Sequence, residues 1–105
     1  MLVMNDMTAF QRDLLYVIHD RDEPHGLEIK AAVETYYGKE VNHGRLYPNL
    51  DELVDRGLVT KGEYDKRTNK YGLTREGKQT LLQRANWEHD RLEDLIEDPA
   101  TFTEL

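Results

Sequence analysis

The sequence of 105 residues contains no cysteine, which excludes disulfides and thiolate metal sites and is typical of a cytoplasmic protein. No apolar run approaches the roughly 18 residues of a membrane-spanning helix, so we expect no membrane association of that kind. The first residues, MLVMNDM, carry neither a basic segment nor a long apolar one, so we expect no signal peptide. These absences predict one small cytoplasmic domain with a single modest core.

Positive charge is also scarce, because 14 Lys and Arg residues stand against 21 Asp and Glu residues and the net charge is −7. This balance argues at first against a nucleic-acid partner. The distribution is uneven, with net charges of −4 in residues 1–38, +2 in residues 39–75 and −5 in residues 76–105. The middle third is therefore the candidate to meet an anion, although ordinary surface charge explains the same pattern.

Hydrophobic spacing predicts two short helices in the first third of the chain. The first follows a Thr-x-x-Gln capping box at Thr8 and ends near Asp20. The second spans HGLEIKAAVETYYG, and Gly38 closes it in a left-handed conformation. The segment KEV that follows predicts a brief strand or a turn. The side chains expected to face the core from the second helix are Leu27, Ile29, Val33 and either Tyr36 or Tyr37.

A third helix is predicted within NHGRLYPNLDELVDRGLV, with Asn42 as its N-cap and Gly57 at its end. Its opening turns contain Gly44 and Pro48, where helices usually carry better helix formers. Helix formation alone therefore does not explain Gly44 and Pro48. The apolar face of the helix consists of Leu46, Leu50, Leu53 and Val54.

The rest of the chain predicts a hairpin and a long helix. LVTKGEY and KYGLT flank the polar turn DKRTN, and a long helix runs from Thr74 until Pro99 stops it. The order helix, helix, helix, hairpin, helix is that of a winged helix-turn-helix domain, mainly α with a small β-hairpin (α+β). We expect residues 1–75 to form this DNA-binding domain and residues 76–105 to form a C-terminal dimerisation helix and tail, within one structural unit.

In a helix-turn-helix protein the N-terminal residues of the second helix of the motif meet base edges in the major groove. A glycine there permits close approach to a phosphate, and an arginine can bind guanine or phosphate. Basic residues at a wing tip suit the minor groove or its phosphates. A plain core helix and a solvated turn are the alternatives. The candidate DNA-binding residues are Asn42, His43, Gly44, Arg45, Tyr47, Asn49, Lys66, Arg67 and Lys70.

The stretch from the second helix to the start of the last resembles PadR-type winged-helix transcriptional regulators. Their signature joins Gly-x-Leu-Tyr-Pro, Leu-x-x-Leu and Gly-Leu-Val to a wing that ends in Tyr-x-Leu-Thr-x-x-Gly. The matching residues are Gly44, Leu46, Tyr47, Pro48, Leu50, Leu53, Gly57, Leu58, Val59, Tyr71, Leu73, Thr74 and Gly77.

This resemblance covers residues 8–96 and implies a homodimeric regulator, such as a repressor, that binds double-stranded DNA. The chain lacks the separate multi-helix C-terminal domain of larger members. It is similar to the compact acidic versions from salt-loving archaea and their viruses, including phage-repressor-like proteins.

The last helix has an apolar side wider than three short helices can cover, which usually marks a partner surface. Two such helices packed across a twofold axis would place the recognition helices about one DNA turn, roughly 34 Å, apart on an inverted repeat. Folding of this helix onto its own domain is the alternative. The candidate dimerisation residues are Phe10, Leu14, Leu82, Ala85, Trp87, His89, Leu92, Leu95 and Ile96.

An acidic DNA-binding protein is best explained by a halophilic source, because at molar salt the Debye length falls to roughly 3 Å and repulsion from phosphate is screened. No metal-ligand spacing, phosphate loop or activated nucleophile is present, so we expect no enzyme, metal or cofactor. A winged helix that binds protein instead of DNA is the main alternative, which the pairing of Arg45 with a basic wing disfavours. Four aromatic residues are predicted either to line an effector pocket or simply to pack in the core: Tyr16, Tyr36, Tyr37 and Trp87.

Overall fold

Four helices and one β-hairpin make up residues 7–98, which are the residues that this computed structural model describes. The order confirms the expected winged helix-turn-helix architecture, mainly α with a small hairpin. The predicted helix stop at Pro99 lies outside the described residues. The elements are α1 Ala9–Arg21, α2 Gly26–Tyr37, α3 His43–Asp55, β1 Val59–Asp65, β2 Thr68–Leu73 and α4 Arg75–Glu97.

The helix ends follow the local sequence signals. The predicted capping box is confirmed, since Thr8 Oγ1 accepts from the backbone N–H of Gln11 at 3.1 Å and Gln11 Oε1 accepts from Thr8 N–H at 3.4 Å. Asn42 caps α3 in the predicted way. Gly38 closes α2 with φ of 70°, also as predicted, and Gly57 follows α3 with φ of 78°.

The core lies among the three short helices and is closed by the hairpin and the start of α4. Ile29 and Val33 are fully buried as predicted, but the inward orientation expected for Leu27 is wrong, since its side chain is 59% exposed. Two residues turn a helix through about 200°, which places Leu27 opposite Ile29. Of the two tyrosines, Tyr37 packs on the core and Tyr36 is exposed, because Ile29, Val33 and Tyr37 are spaced at four residues and share one face.

The hairpin is antiparallel, with Val59 opposite Leu73. Its turn contains only residues 66 and 67, so it is shorter than the predicted DKRTN turn. A further backbone contact, which the sequence does not predict, joins β2 to the segment before α2. Tyr71 donates from its backbone N–H to the carbonyl of Pro24 at 2.9 Å. Of the two alternatives for KEV, the structure shows a turn-like bend rather than a strand.

The last helix, α4, enters the core through its first turns, and further along Glu88 accepts a hydrogen bond from the Tyr16 hydroxyl on α1 at 3.5 Å. Gly77, Thr80 and Leu81 are its buried residues. The contact at Gly77 is close, because a Cβ added there would lie 2.2 Å from the carbonyl oxygen of Leu58. The helix continues for 23 residues in total, so its second half extends beyond the core. Within residues 7–98, no helix is both long and apolar enough to cross a membrane.

Candidate nucleic-acid interface

Helix α3 has a sharp division between its two sides. Its core side carries Leu46, Leu50 and Leu53, all fully buried. The N-terminal half of its outer side carries Gly44 and Pro48, which are exposed. The C-terminal half of that side is acidic, with Asp51, Glu52 and Asp55 exposed. Only the N-terminal half can therefore approach an anion without direct repulsion.

Arg45 lies at one edge of this outer side, over α1. Its guanidinium carbon is 4.0 Å from the centroid of the Phe10 ring, a cation–π contact. Tyr37 lies beside them and donates a hydrogen bond from its hydroxyl to Asp13 at 2.6 Å. Burial, assisted by this bond, raises the pKa of Tyr37 to about 12, while the Arg45 charge acts in the opposite direction. Arg45 remains exposed, and giving up its contact with the Phe10 ring costs little free energy.

His43 and Tyr47 form the opposite edge of α3. Their rings are stacked, with centroids 5.6 Å apart and planes 3° from parallel. Tyr47 packs on the start of α2, where a Cβ added to Gly26 would lie 2.6 Å from its hydroxyl oxygen. Gly26 thus makes room for the Tyr47 ring and lets α2 and α3 approach closely. The Tyr47 ring therefore packs on the second helix.

Asn49 faces α1 instead of the outer side. Its Nδ2 donates to the carbonyl of Arg45 at 2.7 Å, and its Oδ1 accepts from Gln11 Nε2 at 3.0 Å. Gln11 is only 3% exposed and also donates to Glu52. The sequence analysis missed this link, because Gln11 was already accounted for by the capping box and its partner is 38 residues away.

The wing carries two basic residues at its tip, Lys66 and Arg67, both exposed. Lys70 is half-buried and lies 3.5 Å from a carboxylate oxygen of Glu23. An open groove of about 370 Å³ separates α3 from the wing, and Tyr47 and Arg67 both line it. The structure thus brings two of the predicted residues, Tyr47 of α3 and Arg67 of the wing, to two sides of one groove, while the other seven are not among its lining residues. Asp51 also lines this groove and is paired with Lys61 at 3.1 Å.

The start of α2 reaches this same region through His25, which the sequence analysis did not single out. His25 caps the helix, with Nδ1 accepting from Glu28 N–H at 3.3 Å. Its ring lies 5.8 Å from that of Tyr64 on β1 and so connects α2 to the wing. Histidine is an uncommon N-cap, which is why the pattern gave no signal.

The predicted stripe on α4 is largely uncovered. Leu82, Leu92 and Ile96 are 62%, 46% and 54% exposed. Ala85 and His89 are also exposed, and Leu95 is half-buried. Because residues three, four and seven apart share a helix face, the exposed members form one apolar side.

The other candidate dimerisation residues lie elsewhere. Phe10 and Leu14 are in the core, with exposures of 4% and 0%, so their side chains offer almost no surface to a partner. Trp87 lies off the stripe, between the guanidinium groups of Arg84 and Arg91 at 4.8 and 4.4 Å from its ring.

A second groove, of about 610 Å³, lies among α1, α2 and α4. Tyr16 and Tyr36 line it, as the effector-pocket hypothesis expected, together with the carboxylates of Asp13, Asp20 and Glu88. Tyr37 and Trp87 are not among its lining residues. Within the described part of the chain, no group of three or more His, Asp or Glu side chains is arranged to hold a metal ion.

Residues 14–83 match the family described as the transcriptional regulator PadR-like family. The chain belongs to this family. A solved complex of hsRosR, named RosR-S1, is 45% identical with a TM-score of 0.79, covering 94% of this chain and 96% of that chain. RosR of H. salinarum, in crystals grown from NaBr, is 46% identical with a TM-score of 0.77, covering 91% and 96%.

A more distant structure, FabT of Streptococcus pneumoniae in complex with DNA, shares the fold at 16% identity and a TM-score of 0.72, covering 90% of this chain and 64% of that one. The comparison with curated proteins found no match.

Two parts of the PadR signature can be assigned to contacts of this chain. Thr74 donates from its hydroxyl to the carbonyl of Gly57 at 2.7 Å and caps α4 by accepting from Gly77 N–H at 3.0 Å. The absence of a side chain at Gly77 then lets α4 lie against the carbonyl of Leu58. The Gly-Leu-Val and Thr-x-x-Gly motifs of this PadR-like protein therefore fasten the wing to the last helix.

Proposed function

We propose that this PadR-like protein binds double-stranded DNA in a sequence-specific manner, as a homodimer, and represses transcription from an inverted-repeat operator. The observation that carries the proposal is the groove between α3 and the wing, which Tyr47 and Arg67 line from its two sides. The start of α2 also lines it through Gly26, and a helix N-terminus attracts phosphate. FabT, which shares the fold, was solved in complex with DNA.

In this proposal the N-terminal half of α3 enters the major groove. Asn42, His43, Gly44 and Arg45 lie at that end, and the acidic C-terminal half stays further from the phosphates. Arg45 exchanges its contact with Phe10 for a guanine or a phosphate. This exchange gives up about 0.5–1 kcal/mol at an exposed site.

The remaining candidates divide between backbone contact and support. At the wing tip, Lys66 and Arg67 meet the flanking phosphates, with Lys70 behind them. Asn49 supports Arg45 by donating a hydrogen bond to its backbone carbonyl.

The apolar side of α4 supports the dimer. Its exposed leucine and isoleucine side chains, Leu82, Leu92 and Ile96, lie where the helix has left its own core. Burying them against a second copy removes apolar surface from water, at about 25 cal/mol per Å². A twofold axis through this side would present two α3 helices to successive major grooves of one face of the duplex.

Repression follows from occupancy, since a dimer covering an operator denies that DNA to other proteins. A regulator of this kind works where the chromosome lies, so the cytoplasmic location expected from the sequence and the absence of enzymatic activity are parts of the proposal.

The proposal is tested by selecting bound sequences from a random duplex pool in molar KCl. We expect enrichment of an inverted repeat by the wild type, and its loss in a variant carrying Arg45→Ala and Arg67→Ala. The matched control carries Arg21→Ala and Arg91→Ala, which remove the same charge outside α3 and the wing and should keep the enrichment. No enrichment by a folded wild-type protein at any salt concentration would overturn the proposal and favour the protein-binding alternative.

The dimer is tested by sedimentation of a variant carrying Leu92→Glu and Ile96→Glu, which places two charges on the apolar side of α4. We expect this variant to be a folded monomer. The control carries Gln83→Glu, on another side of α4, and should remain dimeric. A wild-type protein that sediments as a monomer would contradict the proposed assembly.

A further inference from the structure

The outer side of α3 contains two residues that weaken the helix without an evident benefit inside the chain. Glycine and proline are the two poorest helix formers, less favourable than alanine by about 1 and 3 kcal/mol. Gly44 and Pro48 are four residues apart, so they are neighbours on one face, and both are exposed. Pro48 also lacks the N–H that would bond to the carbonyl of Gly44.

Neither residue is explained by the local backbone or by packing. The φ of Gly44 is not positive, unlike that of Gly38 and Gly57, so the backbone there does not require glycine. A Cβ added to Gly44 would meet only Asn42 Oδ1, at an ordinary 3.4 Å, so the fold has room for a side chain. The opposite holds at Gly26 and Gly77, where a Cβ would collide with Tyr47 or with backbone. Gly44 and Pro48 therefore suit a surface outside the chain.

The two asparagine side chains beside this face, Asn42 and Asn49, already form hydrogen bonds within the chain. Asn42 Oδ1 caps the helix by accepting from the backbone N–H of Arg45 at 2.8 Å. Asn49 uses both of its side-chain polar atoms within the chain. At the centre of the face, the methylene groups of the exposed Pro48 ring provide an apolar contact surface beside the bare backbone of Gly44.

We infer that Gly44 and Pro48 form a base-contacting surface that selects thymine through its C5-methyl group. This inference rests on the proposed function, with α3 in the major groove. Of the groups that base edges present there, the thymine methyl is the apolar one, and apolar side chains recognise it. Gly44 lets the helix come close, and Pro48 supplies the ring that covers the methyl group. Thymine is thereby selected without a hydrogen bond.

The test replaces thymine by uracil, which lacks only this methyl group, one position at a time in the duplex enriched by the wild type. We expect wild-type affinity to fall about fourfold at one or two positions of each half-site, which corresponds to about 0.8 kcal/mol for one buried methyl-sized group. Pro48→Ser, which replaces the apolar ring by a small polar side chain, should bind the thymine and uracil duplexes equally. Lys66→Ala is the matched control, because it should weaken binding to both duplexes and keep the fourfold ratio.

A second readout separates base contact from a structural role. Because alanine is the better helix former, Gly44→Ala and Pro48→Ala should raise the urea midpoint of unfolding while they weaken DNA binding. A thymine preference that is absent in the wild type, or unchanged in Pro48→Ser, would overturn this inference and leave the proposed function standing. If no duplex is enriched at all, the proposed function and this inference fall together.

Discussion

Gln11 on α1 donates a hydrogen bond from Nε2 to Asn49 Oδ1 on α3, across 3.0 Å. The same amide donates to Glu52, and Asn49 in turn donates to the carbonyl of Arg45. The first helix thus holds α3 at Asn49 and at Glu52, near the middle of the helix. In the proposed complex this connection sets the angle at which α3 enters the groove.

Replacement of Gln11 by methionine, which has a similar shape, should lower the free energy of unfolding by about 1–3 kcal/mol, because Asn49 Oδ1 loses its partner in a largely buried site. Urea unfolding measures this change. Gln83→Met on the exposed side of α4 is the control and should stay within about 0.5 kcal/mol of wild type. Equal effects of the two substitutions would show that the Gln11 amide contributes nothing to stability.

Two glycines differ in the space around them, so their replacement by alanine should have opposite effects on stability. Gly77→Ala places a Cβ against the Leu58 carbonyl and should destabilise the fold by about 1–3 kcal/mol. Gly44→Ala adds the same methyl group where there is room and should stabilise it by about 0.5–1 kcal/mol. Thermal unfolding compares them directly, and a stabilised Gly77→Ala protein would contradict the described contact.

Tyr37 predicts a loss of stability at alkaline pH. Its pKa rises from an ordinary 10.0 to about 12, first because of burial and then because of its hydrogen bond to Asp13. The unfolded chain therefore releases this proton at lower pH than the folded one, so the stabilisation is present below pH 10 and is lost as the pH rises toward 12.

Urea unfolding between those pH values should show a shallower decline in Tyr37→Phe than in the wild type. Burial also raises the pKa values of Tyr16 and Tyr71, so some decline remains in the variant. Tyr64→Phe, at a side chain that is 64% exposed, should leave the wild-type profile unchanged. Identical profiles for Tyr37→Phe and Tyr64→Phe would refute the assignment.

The net charge of −7 predicts that salt stabilises the fold. The Debye length falls from roughly 30 Å at 0.01 M to roughly 3 Å at 1 M salt, which screens repulsion among the carboxylates. We expect the urea midpoint to be higher in molar KCl than in dilute buffer. A variant carrying Asp94→Asn and Glu97→Gln should gain less from the salt. Equal stability at both salt concentrations would remove the main support for a halophilic source.

The features that the sequence predicted well depend on neighbouring residues. The caps at Thr8 and Asn42, the left-handed Gly38 and the order of the elements all follow from short patterns. The PadR-like signature extended this to the family, and its Gly77 lies where α4 approaches the carbonyl of Leu58. The apolar stripe of α4 was likewise visible from its period.

The features that the sequence did not predict depend on distant contacts. Asn49 appeared free to contact a base until the fold brought Gln11 to it. Leu14 appeared available to a dimer, but the other helices bury it completely. Whether Tyr47 packs on α2 depends on Gly26, which lies 21 positions earlier in the chain. Side-chain orientation of this kind is set by tertiary packing, which a local pattern does not contain.

The most direct test of the dimeric DNA-binding account is the dependence of affinity on half-site spacing. Fluorescence anisotropy in molar KCl would compare the selected operator with duplexes lengthened between the half-sites by about five and about ten base pairs, half a turn and a full turn. The account predicts that the half-turn insertion, which rotates the half-sites to opposite faces, weakens binding more than the full-turn insertion does. Equal affinity for all three duplexes would contradict a dimer that holds two α3 helices on one face of the DNA.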